Sequence, residues 1–149
     1  MRICFDMDGT IADLYGVDNW LAMLINHDET PYREATTLIN MNSFARILNK
    51  LQKLGVEIGI ISWLAKGSNA DYDERVRQAK LAWLKKHLKS VHFDFVEIVS
   101  YGTDKNIVCK SSADILFDDE QANRDNWNGK AYNVHEIIET LKEIKEVIM

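Results

Sequence analysis

At 149 residues, with 46% hydrophobic and 28% charged side chains, the chain is large enough for one domain with a substantial core. Its net charge of −5 argues against binding a nucleic-acid polymer through bulk charge. No apolar run approaches the roughly 18 residues of a membrane span, so no membrane partner is expected.

The first predicted strand, Arg2–Asp6, starts so early that no secretion signal fits before it, and a cytoplasmic protein is expected. Cys4 lies inside this strand as a small packed hydrophobe. With Cys109 it makes two free thiols, as in a reducing compartment. The stretch from about 11 to 41 breaks the pattern that follows. It holds two short predicted helices, Val17–Asn26 and Pro31–Ile39, the second with the only proline at its first turn. Leaving the carboxyl end of the first strand, this stretch is a small cap or lid inserted in a single 1–149 domain.

Phe44, Ile47, Leu48, Leu51 and Leu54 then recur at helical spacing, and Gly55 gives a stop signal. A strand over Val56–Ser62 follows. The next helix carries Val76, Ala79, Lys80, Trp83, Leu84 and Leu88. Its basic residues Arg75, Arg77, Lys80, Lys85, Lys86 and Lys89 are read as a solvated face, with Asp71, Asp73 and Glu74 suiting the helix dipole. Strands at Phe95–Ser100, Asp114–Phe117 and Lys130–Val134 come next, then a helix carrying Ile137, Ile138, Leu141, Ile144 and Ile148. The strands are apolar throughout rather than alternating, as in parallel strands covered on both faces. The expected fold is α/β: a Rossmann-like three-layer sandwich with a central parallel sheet and a small helical cap after the first strand.

In such sheets, ligands bind beyond the carboxyl ends of the strands. Four predicted strands end in polar residues: Asp6 and Asp8; Ser62; Gly102-Thr103-Asp104-Lys105; and Asp118-Asp119-Glu120. Two like charges about 4 Å apart repel by roughly 4 kcal/mol at an effective dielectric of 20. A cation relieves that cost, and carboxylate oxygens suit Mg²⁺. The pattern points to a Mg²⁺ site that handles phosphate. Gly9 and Thr10 would shape a loop with its amides facing that phosphate. No G-x-x-x-x-G-K-[ST] sequence is present, which disfavours a P-loop enzyme.

Asp6-Met7-Asp8-Gly9-Thr10, a hydroxyl after an apolar strand, a lysine and Asp118-Asp119, in that order, resemble the motifs of the haloacid dehalogenase (HAD) superfamily of aspartate-nucleophile phosphatases. Thr103-Asp104-Lys105-Asn106 with Ser112-Ala113-Asp114-Ile115-Leu116-Phe117-Asp118-Asp119 is similar to the 5′(3′)-deoxyribonucleotidases within it. The resemblance implies Asp6 as nucleophile, forming an aspartyl-phosphate, and Asp8 as the acid and then the base. It implies Mg²⁺ held by Asp6, Asp118 and the backbone carbonyl of Asp8, with Asp119 bound through water or supporting that shell. Ser62 would hydrogen-bond a phosphoryl oxygen, and Lys105 would neutralise the nucleophile and the phosphoryl group. The spacing from lysine to Asp-Asp is a few residues long for the nucleotidase pattern, which makes Lys110 a competitor. Glu120 reads as a helix-terminal acid.

Tyr15, Trp20, Tyr32 and Trp63 fall near the cap or site. Core packing explains them, and so does stacking on a nucleobase; Trp63, next to Ser62, is best placed to touch a leaving group. The expected substrate is a small phosphorylated molecule, with a nucleoside or deoxynucleoside monophosphate first. A sugar-phosphate hydrolase or phosphotransferase of the same superfamily is the alternative, and a non-catalytic Mg²⁺ and phosphate-binding module another. A phospho-receiver domain would place its phosphoacceptor after a later strand. The cap is small, so either the site admits bulky substrates or a second subunit completes it in an oligomer.

Overall fold

In the computed structural model, which describes residues 1–149, Ile3-Cys4-Phe5 lies in the middle strand of a five-stranded sheet. The chain runs β1 (Arg2–Phe5), β2 (Ala12–Asp13), α1 (Trp20–Ile25), α2 (Thr30–Glu34), β3 (Thr36–Thr37), α3 (Met41–Lys53) and β4 (Glu57–Trp63). It continues through α4 (Ala70–His87), β5 (Phe95–Val99), β6 (Ile115–Phe117), α5 (Gln121–Asp125), β7 (Lys130–Tyr132) and α6 (Ile137–Ile148). The sheet order is β5-β4-β1-β6-β7, with every pair parallel, the α/β class expected from the sequence. From β1 the chain builds outward through β4 to β5, then crosses back to β6 and β7. The switch point lies between β1 and β6, where a crevice opens at the carboxyl ends.

Register decides which residues share a face. Ile3 lies level with Ile58 and Ile115, and Phe5 with Ile60 and Phe117. This row is buried together with Phe44, Leu48 and Leu51 of α3 and Ile137 and Leu141 of α6. Phe5 stacks on Phe117, centroids 5.2 Å apart, and meets Phe44 edge-on at 5.0 Å. Asn40 caps α3 by accepting the Ser43 amide at 2.9 Å. On the other face Cys4, Ile61 and Leu116 lie under Val108 and Trp127, a thinner cover of turn and loop. Burial pushes the Cys4 thiol's pKa up, which leaves it inert.

The segment between β1 and α3 departs from its expected form. The predicted helix Pro31–Ile39 stops at Glu34, and Thr36–Thr37 pairs antiparallel with Ala12–Asp13. Pro31 does occupy the first turn. Trp83 Nε1 donates to the Ala35 carbonyl at 2.8 Å just where the helix ends, and two β-branched threonines favour the extended form that follows. No helix is long and apolar enough to cross a membrane.

Candidate active site

Where β1 runs out, the Asp6 amide still donates to Phe117 O at 3.0 Å, so Asp6 is held level with the end of β6. The next residues turn sharply. The amides of Thr10, Ile11 and Ala12 all donate to Met7 O, at 3.1, 3.0 and 2.9 Å, and the Gly9 amide donates to Ala12 O at 2.9 Å. The amides of Gly9 and Thr10 are therefore engaged inside the loop, not turned toward a phosphate as the sequence suggested. Gly9 serves differently. Its φ of +79° is the left-handed region, and a Cβ there would collide with the Asp119 carboxylate and the Tyr15 ring. Thr10 joins the site through its hydroxyl, which donates to Asp6 Oδ2 at 3.0 Å.

Lys105 opens a short 3₁₀ turn whose first residues are fixed by Asp104, accepting the Asn106 amide at 2.9 Å. Only 2% exposed, Lys105 places Nζ 2.8 Å from Asp6 Oδ1 and 2.7 Å from Asp118 Oδ2. The side chain of Lys110 makes no ion pair and lines no part of the cavity; its amide donates to Asp114 Oδ2 at 2.8 Å. Asp118 is fully buried and takes further hydrogen bonds from the Glu120 amide at 2.9 Å and Asn123 Nδ2 at 3.1 Å. Glu120 is the N-cap residue of α5 and also reaches the cavity wall. Trp63 Nε1 donates to Thr103 O at 2.8 Å, and the Trp63 ring lies 5.2 Å from Lys105 Nζ.

Two residues stand elsewhere than expected. Ser62, one residue before the end of β4, is fully buried and lines no part of the cavity. Lys80 is not on a solvated face: it is fully buried, and its Nζ donates to Asp8 Oδ2 at 2.8 Å, Ser62 Oγ at 2.7 Å and Trp63 O at 2.7 Å. The reason is helical phase. Lys80 follows Val76 by four residues and shares the inward face with Ala79, Trp83 and Leu84. A lysine on an apolar stripe was the available signal. Asn123 had none, since its contact with Asp118 depends on how α5 turns after β6.

The electrostatics follow from burial. Asp6, Asp118 and Asp119 each offer an oxygen, and these oxygens lie within 4.8 Å of one another. Burial, reinforced by the Asp6 charge, pushes the Asp118 carboxyl up to about 6 and the Asp119 carboxyl to about 8. Asp8 is raised by burial too, with Lys80 opposing. Burial would lower the pKa of Lys105, but Asp6 and Asp118 outweigh it and keep the ammonium charged. Four carboxylates thus face two ammonium groups. With all four ionised, the unbalanced charge is that of two carboxylates, which one divalent cation would neutralise, so the donor set fits Mg²⁺.

Above this floor lies a cavity of about 350 Å³. Asp6, Asp8, Lys105, Asp118 and Asp119 line its base, and Leu14, Tyr15, Trp20, Leu24, Tyr32 and Trp63 line much of its wall.

No protein-family model matches the chain, and no curated protein matches it in sequence. Among solved structures it is similar to a D,D-heptose 1,7-bisphosphate phosphatase from Burkholderia thailandensis. The two share 12% identity and a TM-score of 0.51 over 83% of this chain and 69% of that one. At that identity the likeness shows a shared fold, the Rossmann-like α/β sheet. What fold and site define together is an α/β protein with acidic groups and a buried lysine at its switch point.

Proposed function

We propose that the protein is a Mg²⁺-dependent phosphomonoester hydrolase working through an aspartyl-phosphate on Asp6. One observation carries this reading: Asp6, Asp118 and Lys105 meet within 2.8 Å contacts at the crevice between β1 and β6. The ordered motifs and the fold shared with a sugar bisphosphate phosphatase support it.

Asp6, Asp118, Asp119 and the Asp8 carbonyl would hold Mg²⁺, which when bound supplies positive charge against the phosphoryl oxygens. Thr10 and Lys105 hold the Asp6 carboxylate in place from two sides. An Asp6 oxygen attacks phosphorus in line, and the bond from phosphorus to the leaving oxygen breaks. Asp8 gives that oxygen its proton; the raised carboxyl and its place in the cavity base favour this role. Asp8 then takes a proton from water. The water oxygen attacks phosphorus, the bond to Asp6 breaks, and inorganic phosphate leaves with Asp6 restored. Lys105 offsets charge at the phosphoryl group throughout.

The segment from about 11 to 41 acts as a small cap, since Leu14, Tyr15, Trp20, Leu24 and Tyr32 form one wall of the cavity. Its aromatic, apolar lining favours a flat leaving group, so a nucleoside or deoxynucleoside monophosphate is the proposed substrate. The test is phosphate release from a panel of nucleoside monophosphates and sugar phosphates, with Mg²⁺ and with chelator. Mg²⁺-dependent release favouring nucleotides is expected. Release from sugar phosphates alone would keep the chemistry and overturn the substrate. No release from any ester, in folded protein that binds Mg²⁺, would leave a phosphate-binding module.

A further inference from the structure

Lys80 is the one fully buried ammonium group that the chemistry above does not use. An ammonium has three N–H donors and no acceptor. All three are taken: Ser62 Oγ at 2.7 Å, Trp63 O at 2.7 Å and Asp8 Oδ2 at 2.8 Å. Two of the acceptors belong to the end of β4, a strand fixed in mid-sheet. The third belongs to the tight loop after β1, where Asp8 makes only an isolated bridge to Ala12. Neither Lys80 nor Ser62 lines the cavity, whereas Asp8 does. Tyr32, which also lines it, has its ring 4.9 Å from the same Nζ.

We propose that Lys80 is a positioning residue: anchored by Ser62 and the Trp63 carbonyl, it holds one oxygen of Asp8 so that the other faces the leaving group. Ser62 is then an anchor for the lysine, with no contact to the phosphoryl group. The inference rests on the phosphomonoesterase reading. Holding Lys80 in place of water is costly for an isolated charge. The geometry meets that cost with a full set of acceptors, two of which have no other evident task.

Leaving-group dependence separates this role from a general loss of structure. Asp8 matters most where the departing oxygen is a poor leaving group. The value of kcat/KM reports the first chemical step, so it is compared for an alkyl phosphate and for p-nitrophenyl phosphate. In Lys80→Met, kcat/KM for the alkyl ester should fall roughly 100-fold, the lower range for losing a placed general acid. For p-nitrophenyl phosphate it should fall less than about tenfold by the same reasoning. Asp8→Asn should show the same selectivity, and adding Lys80→Met to it should cause little further loss. Ser62→Ala removes one anchor and keeps the lysine, so it tests the idea even if Lys80→Met fails to fold; its loss should be smaller and selective for the alkyl ester.

An equal fall for both esters in Ser62→Ala or in folded Lys80→Met overturns the proposal, as does a multiplicative double mutant. Wild-type protein that releases phosphate from neither ester nor from any nucleotide or sugar phosphate overturns the hydrolase reading itself, and that outcome is seen before any variant is made.

Discussion

The floor and the wall of the cavity differ in how they are held. On the floor Asp6, Lys105 and Asp118, and beneath it Ser62 and Lys80, are all under a tenth exposed, and hydrogen bonds tie Lys80 to Asp8 across 72 residues of chain and Lys105 to Asp6 across 99. On the wall α1 consists of Trp-Leu-Ala-Met-Leu-Ile, none of it buried, with Leu21 at 54% and Ile25 at 70% exposure. Its N-cap residue makes no side-chain hydrogen bond. A buried charge network tolerates few substitutions, because removing one partner strands the others. An exposed apolar helix tolerates many. On the proposed hydrolase reading, chemistry is therefore fixed in the floor, and choice of leaving group is left to a part that changes at small cost.

Asp6→Asn should produce the largest effect. The amide is nearly isosteric but does not attack phosphorus, so turnover should drop on the order of 10⁵-fold or more while the fold persists, as steady-state assays and circular dichroism would show. Residual turnover near wild type would sink the nucleophile assignment. Lys105→Met should come next, with kcat about 10² to 10³ lower for the loss of one aligned electrostatic group. It also leaves Asp6 and Asp118 facing each other, so denaturant unfolding should show a loss of about 3 to 5 kcal/mol. Lys110→Met should change neither quantity appreciably.

Acid and metal give a smaller, reversible effect. The Asp118 and Asp119 carboxyls are raised in the folded protein, to about 6 and about 8. Between about pH 4 and those values the folded chain keeps protons that the unfolded chain has lost. Stability of the metal-free protein therefore falls as pH rises through that window. Mg²⁺ binds the ionised form and should restore it. Thermal melts should show a gain on adding Mg²⁺ that is larger near pH 8 than near pH 5, about 2.7 kcal/mol at a hundredfold excess over Kd. An equal gain at both ends would count against these carboxylates as the metal site. The smallest effect belongs to the wall. Leu24→Ala or Trp20→Ala should raise KM for the preferred ester roughly tenfold and leave kcat and stability nearly unchanged. A matching fall in kcat would mean the wall helps align the chemistry.

Much of the floor is legible in the sequence. Short apolar runs marked all five sheet strands to within one or two residues at their ends, because strands covered on both faces carry an unbroken hydrophobic signal. Asp6 and Asp118 stand at strand ends and Lys105 just beyond one, where the sheet's geometry makes polar residues converge. The burial of Lys80 is not legible there, for a physical reason. On an amphipathic helix a lysine is ordinarily solvated, and its burial depends on acceptors at Asp8 and Ser62 that only the folded sheet brings near. The Thr36–Thr37 strand was hidden the same way, since its partner at Ala12–Asp13 is remote and the apolar positions around it also suit a helix. Gly9 was read for its freedom near a ligand, whereas its neighbours are Asp119 and Tyr15.

The middle place of β1 has a consequence for synthesis. Arg2 is bonded to Glu57 and to Asp114, 55 and 112 residues further along. On the ribosome β1 is thus made well before either neighbour; one edge stays open until β4 is made and the other until β6 arrives. Contacts of such span make for slow folding, and open apolar edges invite association with other chains. The same delay applies to the acidic centre, because Asp118 and Asp119 follow β6 directly. A nascent chain that stops before β6 carries Asp6 and Lys105 but lacks half of the floor's carboxylates. Sheet and acidic centre are completed by the same late segment, so a truncated product has neither.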